Sequence, residues 1–409
     1  MFTPRGIVHH SLSMDFFSLF KASFSRLNQK KPIQEFEQNF SEYMSCDHTI
    51  AFSFARSAVY CALKSQKLEP GSEIIMPPVS IKAMLDVAIE LKLRPVFVDI
   101  DPDTLCFEIS ELEKAINPRT SAILITYLFG MVPNMDDLIG VCRKNDLFVV
   151  EDFSHCLNAR YKGKKLGTFG DVGVYSSSSI KTLDTFGGGL AITNNPTIAS
   201  KLRSMQEKLK PPSRKLLIKR IFTNIVRNFA TNRLVFHFLT YNYIRFSNWR
   251  KDGAAMKHMG DRDKQMIDKM PSEWFTGYSS FQAKLGTKLI SGVESNDSTR
   301  IANVEFIKER AKGANFPKGA DETHNVYWQF AVYFDNPVET QKFFHEKRID
   351  TSTTSLVKIS NLPAYPVQAF TPNADRLHDN GVLIPSYHRL FPEELEKISS
   401  AMNQKVAET

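Results

Sequence analysis

Between residues 48 and 195, short β-branched apolar runs alternate with segments whose apolar positions recur at helical spacing. His48–Phe52, Glu73–Met76, Arg94–Val98, Ala122–Tyr127, Leu147–Glu151, Val172–Ser176 and Leu190–Thr193 read as strands. Ser57–Lys67, Ile81–Leu91, Ile109–Ala115 and Met135–Lys144 read as helices. Pro70-Gly71, Pro77-Pro78, Asp101-Pro102-Asp103 and Gly187-Gly188-Gly189 punctuate them. This alternation predicts an α/β fold with a large, mostly parallel seven-stranded sheet covered by helices on both faces. Ligands of such sheets bind at the carboxyl ends of strands. The turns that follow each strand are therefore where chemistry is to be sought.

The pattern changes after residue 200. Leu217, Ile218, Ile221, Phe222, Ile225 and Phe229 keep helical spacing, with Lys219, Arg220 and Arg227 among them, and the aromatic-rich stretch Leu234–Phe246 follows. From Ser298 a mixed pattern resumes, with a strand over Val326–Tyr333, a helix over Val338–Lys347 and a last helix near Pro392–Met402. The expected organisation is an N-terminal helical arm (1–47), a large sheet domain (48–200) and a basic amphipathic helical insertion (201–271). A return segment that makes a dimer contact (272–297) and a smaller α+β C-terminal domain (298–409) complete it.

Charge sharpens this division. From Lys201 to Gly260 there are fourteen Lys/Arg and two acids, an excess of twelve, whereas the whole chain carries +8. Basicity thus belongs to one segment. A solvated or dimer-packing helical region is the expected role of that segment. Peripheral contact with anionic lipid through 201–260 is a less favoured alternative. Nucleic acid is set aside, because the aromatics follow one helical face and do not form a stacking platform. The five cysteines make no CxxC pair, so neither a disulfide framework nor a zinc site is expected, and no metal is assigned. Asp15 and Lys21 interrupt the Phe-rich N-terminal stretch, and no apolar run reaches the roughly 18 residues of a membrane span. A cytoplasmic location is the expectation.

Three features fall at strand ends. Glu151-Asp152-Phe153-Ser154-His155 follows an apolar strand, Ser176-Ser177-Ser178-Ser179-Ile180-Lys181 follows another, and Phe54-Ala55-Arg56-Ser57-Ala58 spans a strand-to-helix junction. Free N–H groups and the helix dipole favour an anion at such a junction. A carboxylate, a lysine and an anion cradle are what pyridoxal 5'-phosphate (PLP) requires: an acid for its pyridine nitrogen, an amine for a Schiff base, and donors for its phosphate. Taken singly each feature has a plainer reading: a helix-capping Asp, a polar serine loop with a solvated lysine, and a core histidine.

The order of motifs carries more weight than any one of them. Phe36-Glu37-Gln38-Asn39-Phe40, Glu69-Pro70-Gly71-Ser72-Glu73-Ile74-Ile75-Met76-Pro77, Pro95 through Thr104, Pro118-Arg119-Thr120, Gly167 through Gly173, Gly188-Gly189 and Leu383-Ile384-Pro385 through Glu394 flank those three features. In this sequence they resemble the DegT-type nucleotide-sugar aminotransferases, of PLP fold type I, over most of the chain. The resemblance implies Lys181 as the Schiff-base lysine and Asp152 as partner of the pyridine nitrogen. It puts His155 near the cofactor, Ser176 on the phosphate, and Ala55, Arg56 and Ser57 at the phosphate-binding helix start. It further implies glutamate-dependent amination of a carbonyl-bearing sugar or sugar acid, by a homodimer with shared active sites. A lysine at 181 argues against the dehydratase branch of the family.

This chain departs from the pattern in three places. Ile81 stands where an aromatic residue packs on the pyridine face; Phe275-Thr276-Gly277-Tyr278 replaces an Asn-Tyr-Arg-Met segment that reaches the neighbouring subunit's phosphate; and the basic stretch is unusually long. The Ser-rich approach to Lys181 resembles the branch that aminates 8-oxo-3,8-dideoxy-octulosonate in lipopolysaccharide biosynthesis. A nucleotide-linked 4-keto-6-deoxy sugar is the alternative substrate, and a non-catalytic surface-binding protein is the alternative of another class. The presence of both Lys181 and Asp152 speaks against the latter.

Overall fold

The computed structural model describes residues 1–244, 269–362 and 369–408. The expected aromatic stretch Leu234–Phe246 and the expected insertion therefore lie partly outside the described residues. Seven strands form the central sheet: β1 (His48–Phe52), β2 (Glu73–Met76), β3 (Arg94–Phe97), β4 (Thr120–Thr126), β5 (Phe148–Asp152), β6 (Val172–Ser176) and β7 (Gly189–Thr193). Their order is β1-β7-β6-β5-β4-β2-β3. β7 runs antiparallel to both its neighbours, and the remaining four pairings are parallel.

Both faces of the sheet are largely buried, which is why the middles of its strands are apolar. Ile75, Ile123, Val149 and Tyr175 enter one core with Phe36, Phe40, Leu138 and Cys142 from α2 (Lys30–Met44) and α6 (Met135–Lys144). Ile74, Leu124, Val150 and Val174 enter the other, with Ala58 and Val59 of α3 (Ala55–Ser65) and Met84 and Leu85 of α4 (Lys82–Glu90). Each such side chain contributes about 1.5–3 kcal/mol on burial. The period-two alternation sends residues 149 and 151 to the α2/α6 face and residues 150 and 152 to the α3/α4 face.

Helix starts differ in a way that matters below. Asn134 caps α6 by accepting from the Asp136 and Asp137 N–H groups, and Asn195 caps α7 (Pro196–Glu207) in the same manner. Phe54 precedes α3 and supplies no side-chain cap, so the first-turn N–H groups of α3 lack a side-chain acceptor there.

Strands β8 (Phe330–Tyr333) and β9 (Gly381–Ile384) pair antiparallel over a separate core that includes Val332, Phe344, Ile398 and Met402. The strand expected over Val326–Tyr333 is shorter than predicted. Tyr327 has a positive φ of 43°, and the Val326 and Gln329 N–H groups donate to Gly130 and Phe129 carbonyls instead of a ladder.

Helix α8 (Arg214–Thr231) packs on α1 (Leu12–Phe24) through Ala22, Leu217, Ile221 and Ile225, and Phe186 joins this small core. A buried polar network lies beside it. His10 meets Asp15 at 3.1 Å and the Asp184 carbonyl at 2.8 Å, while Asn224 and Asn228 donate to Asp15 at 3.2 and 2.9 Å. The outer sides of both helices expose Phe16, Phe17, Phe20, Phe24, Phe222 and Phe229. No helix among the described residues is long and apolar enough to cross a membrane.

Candidate active site

Glu151 and Asp152 end β5 on opposite faces. Glu151, fully buried, accepts from the Gly167, Phe169 and Gly170 N–H groups at 2.5–2.8 Å and from the Tyr127 hydroxyl at 2.5 Å. Its partners are all structural: it fixes the turn that leads into β6. Asp152 instead lines a cavity of about 270 Å³ at the strand ends. Its Oδ1 accepts the Ser154 N–H at 3.0 Å, and Ser154 Oγ accepts the Ser176 N–H at 3.0 Å, which ties the ends of β5 and β6 together. Burial raises the Asp152 carboxyl above the ordinary range, against the opposing pull of Ser154 and of the Lys181 ammonium.

Lys181 enters the same cavity from the loop after β6. The residue before it, Ile180, has φ 71°, a left-handed conformation that is an outlier for a β-branched side chain. Such strain costs about 1–3 kcal/mol and persists only where the surroundings impose it. Here the Trp328 indole N–H donates to the Ile180 carbonyl at 3.0 Å, and Lys181 Nζ lies 3.8 Å from the Trp328 ring centroid. Burial pushes the Lys181 ammonium down to about 7, with Asp152 opposing. At neutral pH a large fraction of this amine is therefore unprotonated and nucleophilic.

His155 lines the cavity and stacks on Trp328, with centroids 3.9 Å apart. Its Nδ1 accepts the Phe129 N–H at 3.2 Å, so a neutral ring carries its proton on Nε2. Burial first, and Lys181 second, hold the ring well below the usual histidine range. It stays neutral at pH 7.

The cavity wall also carries two guanidiniums. Ala55 and Arg56 line it at the uncapped start of α3, and Arg220 lines it from α8. The Arg56 guanidinium lies 4.8 Å from the Phe54 ring and 4.6 Å from the Trp274 ring. Ser176 is also on the wall, its Oγ 3.0 Å from Ser178 Oγ. Ile81, 41% exposed, contributes an aliphatic surface. Thr126, opposite Asp152 in the β4–β5 register, has a buried hydroxyl that finds no partner among the described residues.

Of the residues expected from sequence, Lys181, Asp152, His155, Ser176, Ala55, Arg56 and Ile81 converge on this one cavity. Ser57 is not on its wall. The Ser57 hydroxyl donates to the Trp274 carbonyl at 2.5 Å, which leaves only its backbone N–H at the helix start. The return segment, expected to make a dimer contact, also serves its own chain: Trp274 flanks Arg56, and the Tyr278 hydroxyl bonds Thr185 at 2.7 Å in the loop that follows Lys181. The Thr276 hydroxyl, in the segment that stands in place of Asn-Tyr-Arg-Met, donates to the Glu273 carbonyl at 3.1 Å. Arg220, Trp328 and Thr126 were missed. Trp328 sits inside an expected strand and Arg220 among many basic residues, so nothing in local spacing marks either. Thr126 ends a correctly read strand, and position alone was its signal.

The donor set fits PLP. The cavity wall gathers an amine, a carboxylate, guanidinium cations, serine hydroxyls, and aliphatic and aromatic surface. Gly188 and Gly189 keep the cradle open, since a Cβ at either would strike Ser177 and Tyr278 or the Phe54–Ala55 backbone.

The sequence matches the profile of the DegT/DnrJ/EryC1/StrS aminotransferase family over residues 22–216 and 254–403. It is 34% identical over 183 residues to the GDP-perosamine synthase of Caulobacter vibrioides, covering 45% of this chain and 49% of that protein. It is 32% identical over 173 residues to the L-glutamine:2-deoxy-scyllo-inosose aminotransferase of Streptomyces kanamyceticus, covering 42% and 40%. The chain thus spans about half the length of the curated relatives it matches. Among solved structures, an aminotransferase from Psychrobacter cryohalolentis superposes with a TM-score of 0.77 at 18% identity, covering 100% of this chain and 99% of that one. The sugar aminotransferase CalS13 from Micromonospora echinospora superposes at 0.75 with 20% identity, covering 98% and 99%. These structural likenesses establish the fold, and the profile match establishes the relationship. The chain belongs to the DegT/DnrJ/EryC1/StrS aminotransferase family, whose members depend on PLP.

Proposed function

We propose that this protein is a PLP-dependent aminotransferase that moves an amino group from L-glutamate to a carbonyl-bearing sugar. The observation that carries the reading is the meeting, in one cavity, of the Lys181 amine at about 7, the buried Asp152 carboxylate and the uncapped start of α3 with Arg56. When bound, the cofactor supplies an aldehyde that exchanges amines and a ring that takes up the charge left by α-proton removal. Lys181 would hold the cofactor covalently and, as a free amine, would take up and return the proton of the donor's α-carbon. Asp152 would keep a proton on the ring nitrogen. Neutral His155, clamped between Trp328 and the Phe129 N–H, packs beside the site without adding a competing charge. Ile81, on the cavity wall, would offer the ring an aliphatic surface without the stacking gain of about 0.5–1.5 kcal/mol that an aromatic would bring.

For the acceptor, the proposal is 8-oxo-3,8-dideoxy-octulosonate, aminated to 8-amino-3,8-dideoxy-D-manno-octulosonate, on the strength of the Ser-rich approach to Lys181. A nucleotide-linked 4-keto-6-deoxy sugar is the second reading, favoured by the similarity to a GDP-perosamine synthase. Purified protein should be yellow and should lose that colour on addition of L-glutamate. A panel of the sugar acid and nucleotide-linked keto sugars, each with glutamate and with glutamine as donor, then selects the substrate. A colourless protein that takes up no added PLP would sink the whole reading.

A further inference from the structure

The basic insertion has no part in the function proposed above, yet one of its side chains enters the cavity. Most basic residues of α8 face solvent. Arg220 does not: its guanidinium lies 4.1 Å from the Phe54 ring centroid and donates to the Ser53 carbonyl at 3.1 Å. Gly187, at φ +101°, makes room for it, because a Cβ there would run into the guanidinium. Arg56 faces the same space from α3, seated between Phe54 and Trp274.

Two half-buried guanidiniums beside one ring on a cavity wall are costly unless something negative lies between them. The acids that act on them do not do this. Glu273 influences both and Asp86 influences Arg56, but Asp86 is bonded to Lys82 at 2.7 Å. Among the described residues neither guanidinium forms an ion pair with a carboxylate. Burial, and then the Arg56 charge, push Arg220 down to about 10, as expected of like charges held close with no anion. The uncapped N–H groups of α3 point to the same need.

We infer that Arg220 and Arg56 form a two-guanidinium clamp for a phosphate monoester dianion, the cofactor's own phosphate, and that Arg220 is the insertion's contribution to the site. This rests on the aminotransferase reading and deepens it. The clamp replaces, from within one chain, the contact that the missing Asn segment was expected to bring from a neighbour. It also gives the insertion a function: α8 positions a phosphate ligand, and α1 and Phe186 brace α8 from behind.

The test uses the full-length apo-protein as wild type, Arg220→Met and Arg220→Lys. PLP and pyridoxal, its phosphate-free analogue, are titrated by absorbance, and thermal unfolding is followed with and without inorganic phosphate. Arg220→Met should raise the PLP dissociation constant about ten- to a hundredfold and leave that of pyridoxal unchanged. Arg220→Lys should fall between, and the phosphate-induced rise in Tm should shrink in Arg220→Met. Unchanged PLP affinity in Arg220→Met overturns the clamp, as does an equal loss of pyridoxal. So does unchanged PLP affinity with a raised KM for a nucleotide-linked sugar, which would assign Arg220 to the substrate's phosphates. If wild type itself bound no PLP, the function proposed above would fail. The phosphate arm would still separate a true anion site, stabilised in wild type and not in Arg220→Met, from none. Should Arg220→Met fold poorly, Arg220→Lys keeps the charge and must retain most of the phosphate effect.

Discussion

Glu151 and Asp152 are chemically alike and adjacent, yet the pleat of β5 gives them different work. Glu151 faces the α2/α6 core and binds four donors, whereas Asp152 reaches the cavity with one oxygen held by Ser154. Asp152→Asn preserves shape and an acceptor for the Ser154 N–H but removes the charge that holds a proton on the ring nitrogen. Single-turnover kinetics with glutamate should show donor-proton removal slowed roughly a hundredfold or more, with Tm little changed. Full-speed turnover would remove Asp152 from this role. Lys181→Ala should still bind cofactor noncovalently and lose roughly a thousandfold or more of turnover. The Lys181 amine also sets a pH dependence. Since the nucleophile is the free base and burial places the group at about 7, cofactor attachment to apo-protein should be fast above that value. Below it the rate should fall about tenfold per pH unit, and Lys181 with an ordinary lysine value would show that fall far higher.

At the scale of elements, α1 and α8 are joined by a buried polar knot, and this joint braces the Lys181 loop through Asp184 and Phe186. Asp15 accepts from Asn224 and Asn228 and meets His10, so Asp15→Ala strands several buried groups and should cost about 2–4 kcal/mol, read as a lowered Tm. Burial, the largest influence on His10, lowers its pKa, but Asp184 and Asp15 outweigh it and the value is raised from 6.5. The stabilisation from His10 is therefore complete below pH 6.5 and lost as pH rises through the raised value, a dependence that His10→Gln should abolish in Tm-against-pH scans. None of this knot was legible in sequence, because its members come from residues 10, 15, 184, 224 and 228. The central sheet was legible. Its strands are buried on both faces and read as apolar runs, and the site features at their ends follow from the general rule for such sheets. What escaped notice arrives from outside the alternating region. Trp328 depends on a strand broken at Tyr327, and Arg220 on the direction in which one face of α8 points. The acceptor of the Ser57 hydroxyl, the Trp274 carbonyl, likewise lies far along the chain, where no local spacing marks it.

For the whole molecule the proposed active unit is a two-fold homodimer. The return segment expected to contact a partner also serves its own chain, and a further argument for a second copy comes from apolar surface at the cavity. Ile81, on the cavity wall, is 41% exposed and Ile180, next to Lys181 in the chain, is 43% exposed, beside an amine whose depressed pKa depends on exclusion of water. Apolar side chains at the rim of a polar site are a surface suited to covering, and a second copy placed by two-fold symmetry is the commonest cover available. The outward face of α8 suits this role less well, since an isologous contact there would set Lys215, Lys219 and Arg227 against their own images. Light scattering at assay concentration should give twice the 46.5 kDa chain mass. On dilution, turnover and the dimer fraction should fall together, and the Lys181 attachment profile should move to higher pH as water reaches the amine. A monomer with full activity at every concentration would leave the mouth uncovered and refute the assembly.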